Sequence, residues 1–102
     1  MHTVTKKELI DRVAEQTGLR RVVVKDIFQV LLNDITEELV HGNRLEFRDF
    51  GVFESRDRAA RSAQNPKTLQ RVYVPPKRTV KFKAGRLMKQ RLQEGLAAAG
   101  PA

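Results

Sequence analysis

Arg58-Ala-Ala-Arg-Ser-Ala-Gln-Asn-Pro-Lys-Thr-Leu-Gln-Arg71 is the stretch on which the fold turns. It has almost no large apolar residue, so it cannot bury enough area against a core to offset the entropy of being held there. It should project into solvent. Directly after it, Arg71-Val-Tyr-Val-Pro75 alternates polar and apolar residues, and Thr79-Val-Lys-Phe-Lys83 alternates again, which is the pattern of half-buried strands. Strands therefore flank the stretch, and Asn65-Pro66 falls at the turn of a long ribbon covering about residues 57–77. A two-stranded ribbon is marginal alone in water, which makes this an arm that its ligand orders. Pro75 and Pro76 remove two backbone donors and should interrupt pairing near the base of the arm.

The charge distribution says what kind of ligand that is. From Arg56 to Lys83 there are nine basic residues and one acid, Asp57, which accounts for the whole formal charge of +8. The rest of the chain is balanced, with eleven basic and eleven acidic residues. A segment that repels itself this strongly implies an anionic partner. Pro66 then has two readings: turn chemistry, or an apolar wedge at the tip of a basic arm, a residue type that architectural proteins insert between base steps.

Upstream of the arm, Arg44-Leu-Glu-Phe-Arg48 alternates, Asp49-Phe-Gly51 supplies a turn and Val52-Phe-Glu-Ser-Arg56 continues extended, reading as a β-hairpin. Phe47, Phe50 and Phe53 are core candidates, with a base-stacking platform as the alternative for such a cluster in a basic protein. Earlier still, Thr5-Lys-Lys-Glu8 is a capping-box pattern that opens a helix over about residues 6–16, stopped by Thr17-Gly18. From Leu19 to His41 there is no Gly or Pro, and Val24, Ile27, Phe28, Leu31, Leu32, Ile35 and Leu39 form a wide helical stripe. That period outweighs the strand preference of Val22-Val-Val24, and Gly42 closes the helix with His41 near its negative end. Downstream of the arm, residues 84–93 form a short basic helix with Leu87, Met88 and Leu92 on its apolar side, and residues 94–102 read as a flexible tail.

Composition closes off other classes. The 102 residues, 40% apolar and 31% charged, suit one small domain. The lack of Cys removes disulfides, thiolate metal sites and a cysteine nucleophile, and His2 and His41 are poor metal ligands or bases at that separation. No metal, cofactor or catalytic residue is expected. Glu8, Asp11, Glu37 and Glu38 are spaced for helix faces, with no nucleophile, base and orienting group converging. No apolar run approaches the roughly 18 residues of a bilayer span, and the N-terminus has no signal-peptide core. The chain reads as cytosolic.

Taken in order, Asp-Phe-Gly-Val-Phe (49–53), Arg-Ala-Ala-Arg (58–61), Asn-Pro-Lys-Thr (65–68) and Phe-Lys-Ala-Gly (82–85) give the chain a resemblance to the bacterial HU/IHF family of histone-like, DNA-bending proteins. The resemblance covers about Thr5 to Gln93. It implies an α+β fold in a single domain over residues 1–93. Two N-terminal helices, a three-stranded antiparallel sheet with a long β-ribbon arm and a short C-terminal helix would be assembled as an intertwined dimer. Phe28, Leu31, Leu32, Phe47, Phe50, Phe53 and Phe82 would form the dimer core. It further implies that the arms follow the minor groove of double-stranded DNA, with Pro66 as the intercalating residue. Arg56, Arg58, Arg61, Gln64, Asn65, Lys67, Arg71, Lys77 and Arg78 would line each arm, and Lys6, Lys81, Lys83, Arg86 and Lys89 would hold flanking phosphates. The partner chain would be a second copy or a family paralogue, and the setting the nucleoid of a bacterial cytoplasm, with DNA condensation among its effects.

Several positions differ from or refine that pattern, among them Ala84 in place of the usual Pro before Gly85 and Arg20 in place of a Ser or Thr cap for the second helix. The family's arm tip usually reads Gly-Arg-Asn-Pro-x-Thr-Gly; here Ala63, Gln64 and Leu69 replace two glycines and an arginine, and a leucine disfavours the left-handed backbone that glycine at 69 would adopt freely. Arg44, Glu46 and Arg48 resemble the sequence-selective IHF side of the family, where they would position one another against DNA, and an exposed charge ladder is the alternative. Two other functions fit the basic ribbon: an RNA-binding protein of ribosome-associated type, and a dimerisation module whose arm docks an acidic protein.

Overall fold

Thr5 opens the first helix as its spacing predicts: its Oγ1 accepts the backbone N–H of Glu8 at 3.3 Å. The reciprocal half of the capping box is replaced, because the Glu8 carboxylate lies 3.5 Å from His2 Nε2. The computed structural model describes residues 1–99, arranged as α1 (Lys6–Thr17), α2 (Arg21–Val40), β1 (Leu45–Phe47), β2 (Gly51–Arg58), β3 (Arg61–Gln64), β4 (Arg71–Val74), β5 (Lys77–Ala84) and α3 (Arg86–Ala98). The fold is α+β, with a three-stranded antiparallel sheet in the order β1-β2-β5 and a separate two-stranded ribbon, β3-β4.

The chain divides into two compact units within α2, the first covering Met1–Glu37 and the second beginning at Glu38. In the first unit, Gly18 ends α1 in the left-handed conformation, its N–H bonded to the Ala14 carbonyl at 2.9 Å. Ile10 and Val24 are the buried apolar side chains among the described residues, at 2% and 3% exposure. Arg21 Nε donates to Asp11 Oδ1, and Lys6 Nζ to Gln29 Oε1, tying the two helices of this unit by polar contacts. The apolar stripe of α2 is left largely open, with Ile27 and Leu31 both exposed.

In the second unit, α2 ends in a reciprocal pair of capping bonds: Gly42 N–H to the Leu39 carbonyl and Asn43 N–H to the Glu38 carbonyl, both 3.0 Å, with Gly42 at φ 80°. Its last carbonyls are taken up by the sheet, Leu39 by Ser55 Oγ at 2.6 Å and Val40 by the Arg78 guanidinium at 2.7 Å. A cation there also meets the negative end of the helix dipole.

The hairpin turn differs from its sequence reading. Phe47 pairs with Gly51, so the loop is Arg48-Asp49-Phe50, and Asp49 rather than a glycine takes the left-handed position at φ 66°. Aspartate tolerates that region because its short polar side chain can bond locally. Gly51 is needed for another reason: a Cβ there would lie 2.5 Å from Phe82 Cζ and 2.6 Å from the Lys83 carbonyl oxygen. The space above Gly51 belongs to an aromatic cluster in which Phe53 and Phe82 rings sit 4.8 Å apart, Phe50 and Phe82 5.6 Å, Phe47 and Phe53 6.1 Å. Phe50 is still 50% exposed and Phe82 39%.

The last helix also differs. Ala84 is the final residue of β5, and α3 starts at Arg86 and runs to Ala98 rather than ending at Gln93. Gly95 costs roughly 1 kcal/mol against alanine in a helix, but Leu96-Ala-Ala98 are strong helix formers, and Gln90 bonds to Glu94 one turn along. The expected tail is thus helical from Glu94 to Ala98, and its end, residues 100–102, lies outside the described residues.

Candidate nucleic-acid interface

Strand alternation sorts the charges. β2 and β5 pair from Gly51↔Ala84 to Arg58↔Lys77, which places Arg56, Arg58, Lys77, Lys81 and Lys83 on one face of the pair. Phe53, Ser55, Asp57, Arg78, Val80 and Phe82 occupy the other. Glu54 is the one acid on the cationic face of this pair, lying 3.4 Å from Lys83 Nζ and 3.7 Å from Arg44. Of Arg44, Glu46 and Arg48, Glu46 lies within β1 and the other two flank it, and Arg44 reaches across to Glu54, a cross-strand contact of the kind the charge-ladder reading expects.

Arg78 stands apart from the other arm cations. Its Nε and one terminal nitrogen donate to the two Asp57 carboxylate oxygens at 2.7 and 2.9 Å, and its other terminal nitrogen donates to the Val40 carbonyl. These hydrogen bonds, then the Arg78 charge, hold the Asp57 carboxyl below its ordinary value of 3.8. A depressed carboxyl keeps its contribution fully above its unfolded pKa and loses it only as pH falls through the lowered value, so the pair is intact at neutral pH. Arg78 thus fastens the arm's base to the end of α2.

Beyond Arg58 the ladder breaks at Ala59-Ala60 and Pro75-Pro76, where the proline donors are missing, as the sequence predicts. It resumes in the same register from Arg61↔Val74 to Gln64↔Arg71. From Arg56 to Tyr73 the side chains are exposed, Ala63 excepted. Asn65 N–H bonds to the Gln70 carbonyl and Leu69 N–H to the Asn65 carbonyl, both 2.8 Å, closing a four-residue loop of Pro66, Lys67, Thr68 and Leu69. Asn65 Oδ1 accepts the Lys67 N–H at 2.9 Å, so the Asn-Pro pair builds the turn by its own side chain. Leu69 does adopt the left-handed backbone, at φ 60°.

Arg86 and Lys89 sit one turn apart and exposed at the start of α3. The helix cap residue, Gly85, supplies no side-chain acceptor; its own N–H goes to the Phe50 carbonyl at 2.8 Å, and the Met88 N–H to the Asp49 carbonyl. Lys6 belongs to the first unit, where its amine is engaged by Gln29.

The sequence matches the family model described as bacterial DNA-binding protein over residues 4–93. The chain belongs to the HU/IHF family. It is 41% identical over 90 residues to the DNA-binding protein HU of Thermotoga maritima, covering 88% of this chain and all of that one. It is 33% identical to the integration host factor subunit alpha of Rhodospirillum rubrum over 93 residues, 91% of this chain and 89% of that one. Among solved structures it is similar to Anabaena HU in a cocrystal with DNA, with a TM-score of 0.75, 34% identity, and coverage of 87% of this chain and 97% of that one.

Within this HU/IHF chain three large apolar or aromatic side chains exposed on the arm, Leu69, Val72 and Tyr73, have no role in the sequence pattern. Tyr73 is 70% exposed beside the arm cations, and Leu69 is 68% exposed at the tip. The available signal was the one that exposed the arm itself: a large apolar or aromatic side chain in a segment with no core to enter.

Proposed function

We propose that the chain is a non-catalytic architectural protein that binds double-stranded DNA through the minor groove and bends it, working as a two-chain assembly. The observation that carries this reading is the exposed cationic ribbon closing on Pro66. Arg56, Arg58, Arg61, Lys67, Arg71 and Lys77, with Gln64 and Asn65 at the tip, follow the groove. Lys6, Lys81, Lys83, Arg86 and Lys89 hold phosphates along the flanks. Displacing condensed counterions supplies an affinity that tolerates sequence and falls with salt. Pro66 enters a base step and unstacks it, a cost of a few kcal/mol that contacts made only with bent DNA offset. Flexible or nicked sites are preferred for that reason. The relatives' names and the cocrystal with DNA support the choice of ligand.

The partner is a second copy or a family paralogue. Ile27 and Leu31 on α2, and Phe50, Val80 and Phe82 in the second unit, are apolar and more than a third exposed in the single chain. Burying the part of such side chains that is still exposed is worth about 1 kcal/mol each, and a two-fold partner presents the same unsatisfied faces in return. Phe28, Leu32, Phe47 and Phe53, half-buried in the single chain, would complete that shared core. The assembly acts on the nucleoid of a bacterial cytoplasm.

Binding to an intact duplex, measured from low to moderate salt, tests the electrostatic part. Arg58→Ala and Arg61→Ala each reduce the slope of log K against log salt by about one unit per arm, with affinity reduced evenly across sequences. An unchanged slope removes that arginine from the phosphate contacts. Folded RNA competing as well as nicked duplex overturns the choice of DNA.

A further inference from the structure

We infer that Leu69 is a second apolar contact at the arm tip, entering the DNA groove beside the step that Pro66 opens; this rests on the DNA-bending function proposed above. Leu69 is disadvantaged twice in the free chain. Its φ of 60° lies in the left-handed region, where a residue with a Cβ is disfavoured by roughly tenfold or more in population. Its side chain is also 68% exposed, so it gains no packing in return.

The loop leaves the backbone no other choice. The Leu69 N–H is fixed to the Asn65 carbonyl at 2.8 Å, and its carbonyl accepts Gln64 Nε2 at 3.2 Å. Thr68 Oγ1 accepts the N–H of Gln70 at 3.4 Å, completing the ring of bonds around the turn. Both polar groups of Leu69 are therefore spent on closing the loop, and the isobutyl group is what it presents outward. Pro66 and Leu69 are the first and last residues of that loop, with Lys67 and Thr68 between them, and all four are exposed. The tip accordingly carries two apolar side chains and one cation. Leucine and proline both belong to the residue types that wedge between base steps. The hydrogen bonds of the loop hold the Leu69 backbone in the free protein, but its side chain gains no packing there, and its use lies in the bound state.

The test compares Leu69→Gly and Leu69→Asn with the unaltered protein and with Pro66→Ala, on one nicked duplex labelled at both ends. Glycine and asparagine both accept a left-handed backbone, so neither variant endangers the turn. The expected result is a complex lifetime shortened by roughly three- to tenfold in both Leu69 variants, the scale of a partly buried leucine side chain, with the salt slope unchanged. Relief of strain is common to the free and the bound tip and does not shorten the lifetime, so an equal or longer lifetime for Leu69→Gly overturns the inference. So does a loss in Leu69→Gly that Leu69→Asn does not share, because lost rigidity then explains it. If Pro66→Ala lowers energy transfer while both Leu69 variants behave as the unaltered protein, only the role of Leu69 falls. If Pro66→Ala also leaves energy transfer unchanged, the wedge function on which it rests falls with it.

Discussion

Pro66→Ala is expected to lower the bend angle of bound duplex DNA by at least half while changing affinity by no more than about threefold. The two quantities separate because different residues set them. In the proposed binding mode, affinity comes from the cations of the ribbon and its flanks, none of which this substitution touches. The bend needs an apolar body driven between bases, and alanine is too small to hold a step open. The unstacking cost, a few kcal/mol, disappears together with the contacts it enables, so the net change in binding stays small. The turn itself survives, since the loop is closed by the N–H groups of Asn65 and Leu69 and by Asn65 Oδ1, and no bond requires a proline ring. End-to-end energy transfer on a labelled duplex measures the bend and titration gives the affinity. Equal bend angles would reduce Pro66 to turn chemistry.

Gly51→Ala is expected to destabilise the protein by about 3 kcal/mol, the upper range for forcing a methyl group into a packed site. The added carbon would lie 2.5 Å from Phe82 Cζ and 2.6 Å from the Lys83 carbonyl oxygen. The ring can turn away only by leaving Phe53 and Phe50, and the carbonyl is part of the strand next to Gly51. Urea unfolding at matched protein concentration should show a midpoint lowered by about 1.5–3 M, for a slope of 1–2 kcal/mol per M. An unchanged midpoint would mean that Phe82 does not occupy that space.

The arm was legible because its lack of apolar residues leaves it nothing to pack on, and the break at Pro75-Pro76 because proline has no N–H. Gly42 was legible as a helix cap for similarly local reasons. Gly51 was not. Its neighbours in sequence mark it as a turn residue, whereas its constraint is the Phe82 ring, brought there by pairing over thirty residues away. Spacing along one strand groups Arg44 with Glu46 and Arg48, and only the strand pairing brings Glu54 to Arg44. Arg78 looked like one more arm cation, and only the alternation of β5 shows it on the face with Asp57 and the end of α2. Leu69 was expected to resist the left-handed backbone; the hydrogen bonds of the tip outweigh its local preference.

In the proposed function, a dimer with cationic arms binds duplex DNA and bends it. Energy transfer between the ends of a duplex of roughly 35 base pairs, a length that leaves flanks beyond a bent site, tests it most directly, with intact and nicked DNA titrated at two salt concentrations. The predicted result is a rise in transfer on binding, larger for the nicked duplex and reached at lower protein concentration in the lower salt. Saturable binding with no rise in transfer on either duplex would contradict it.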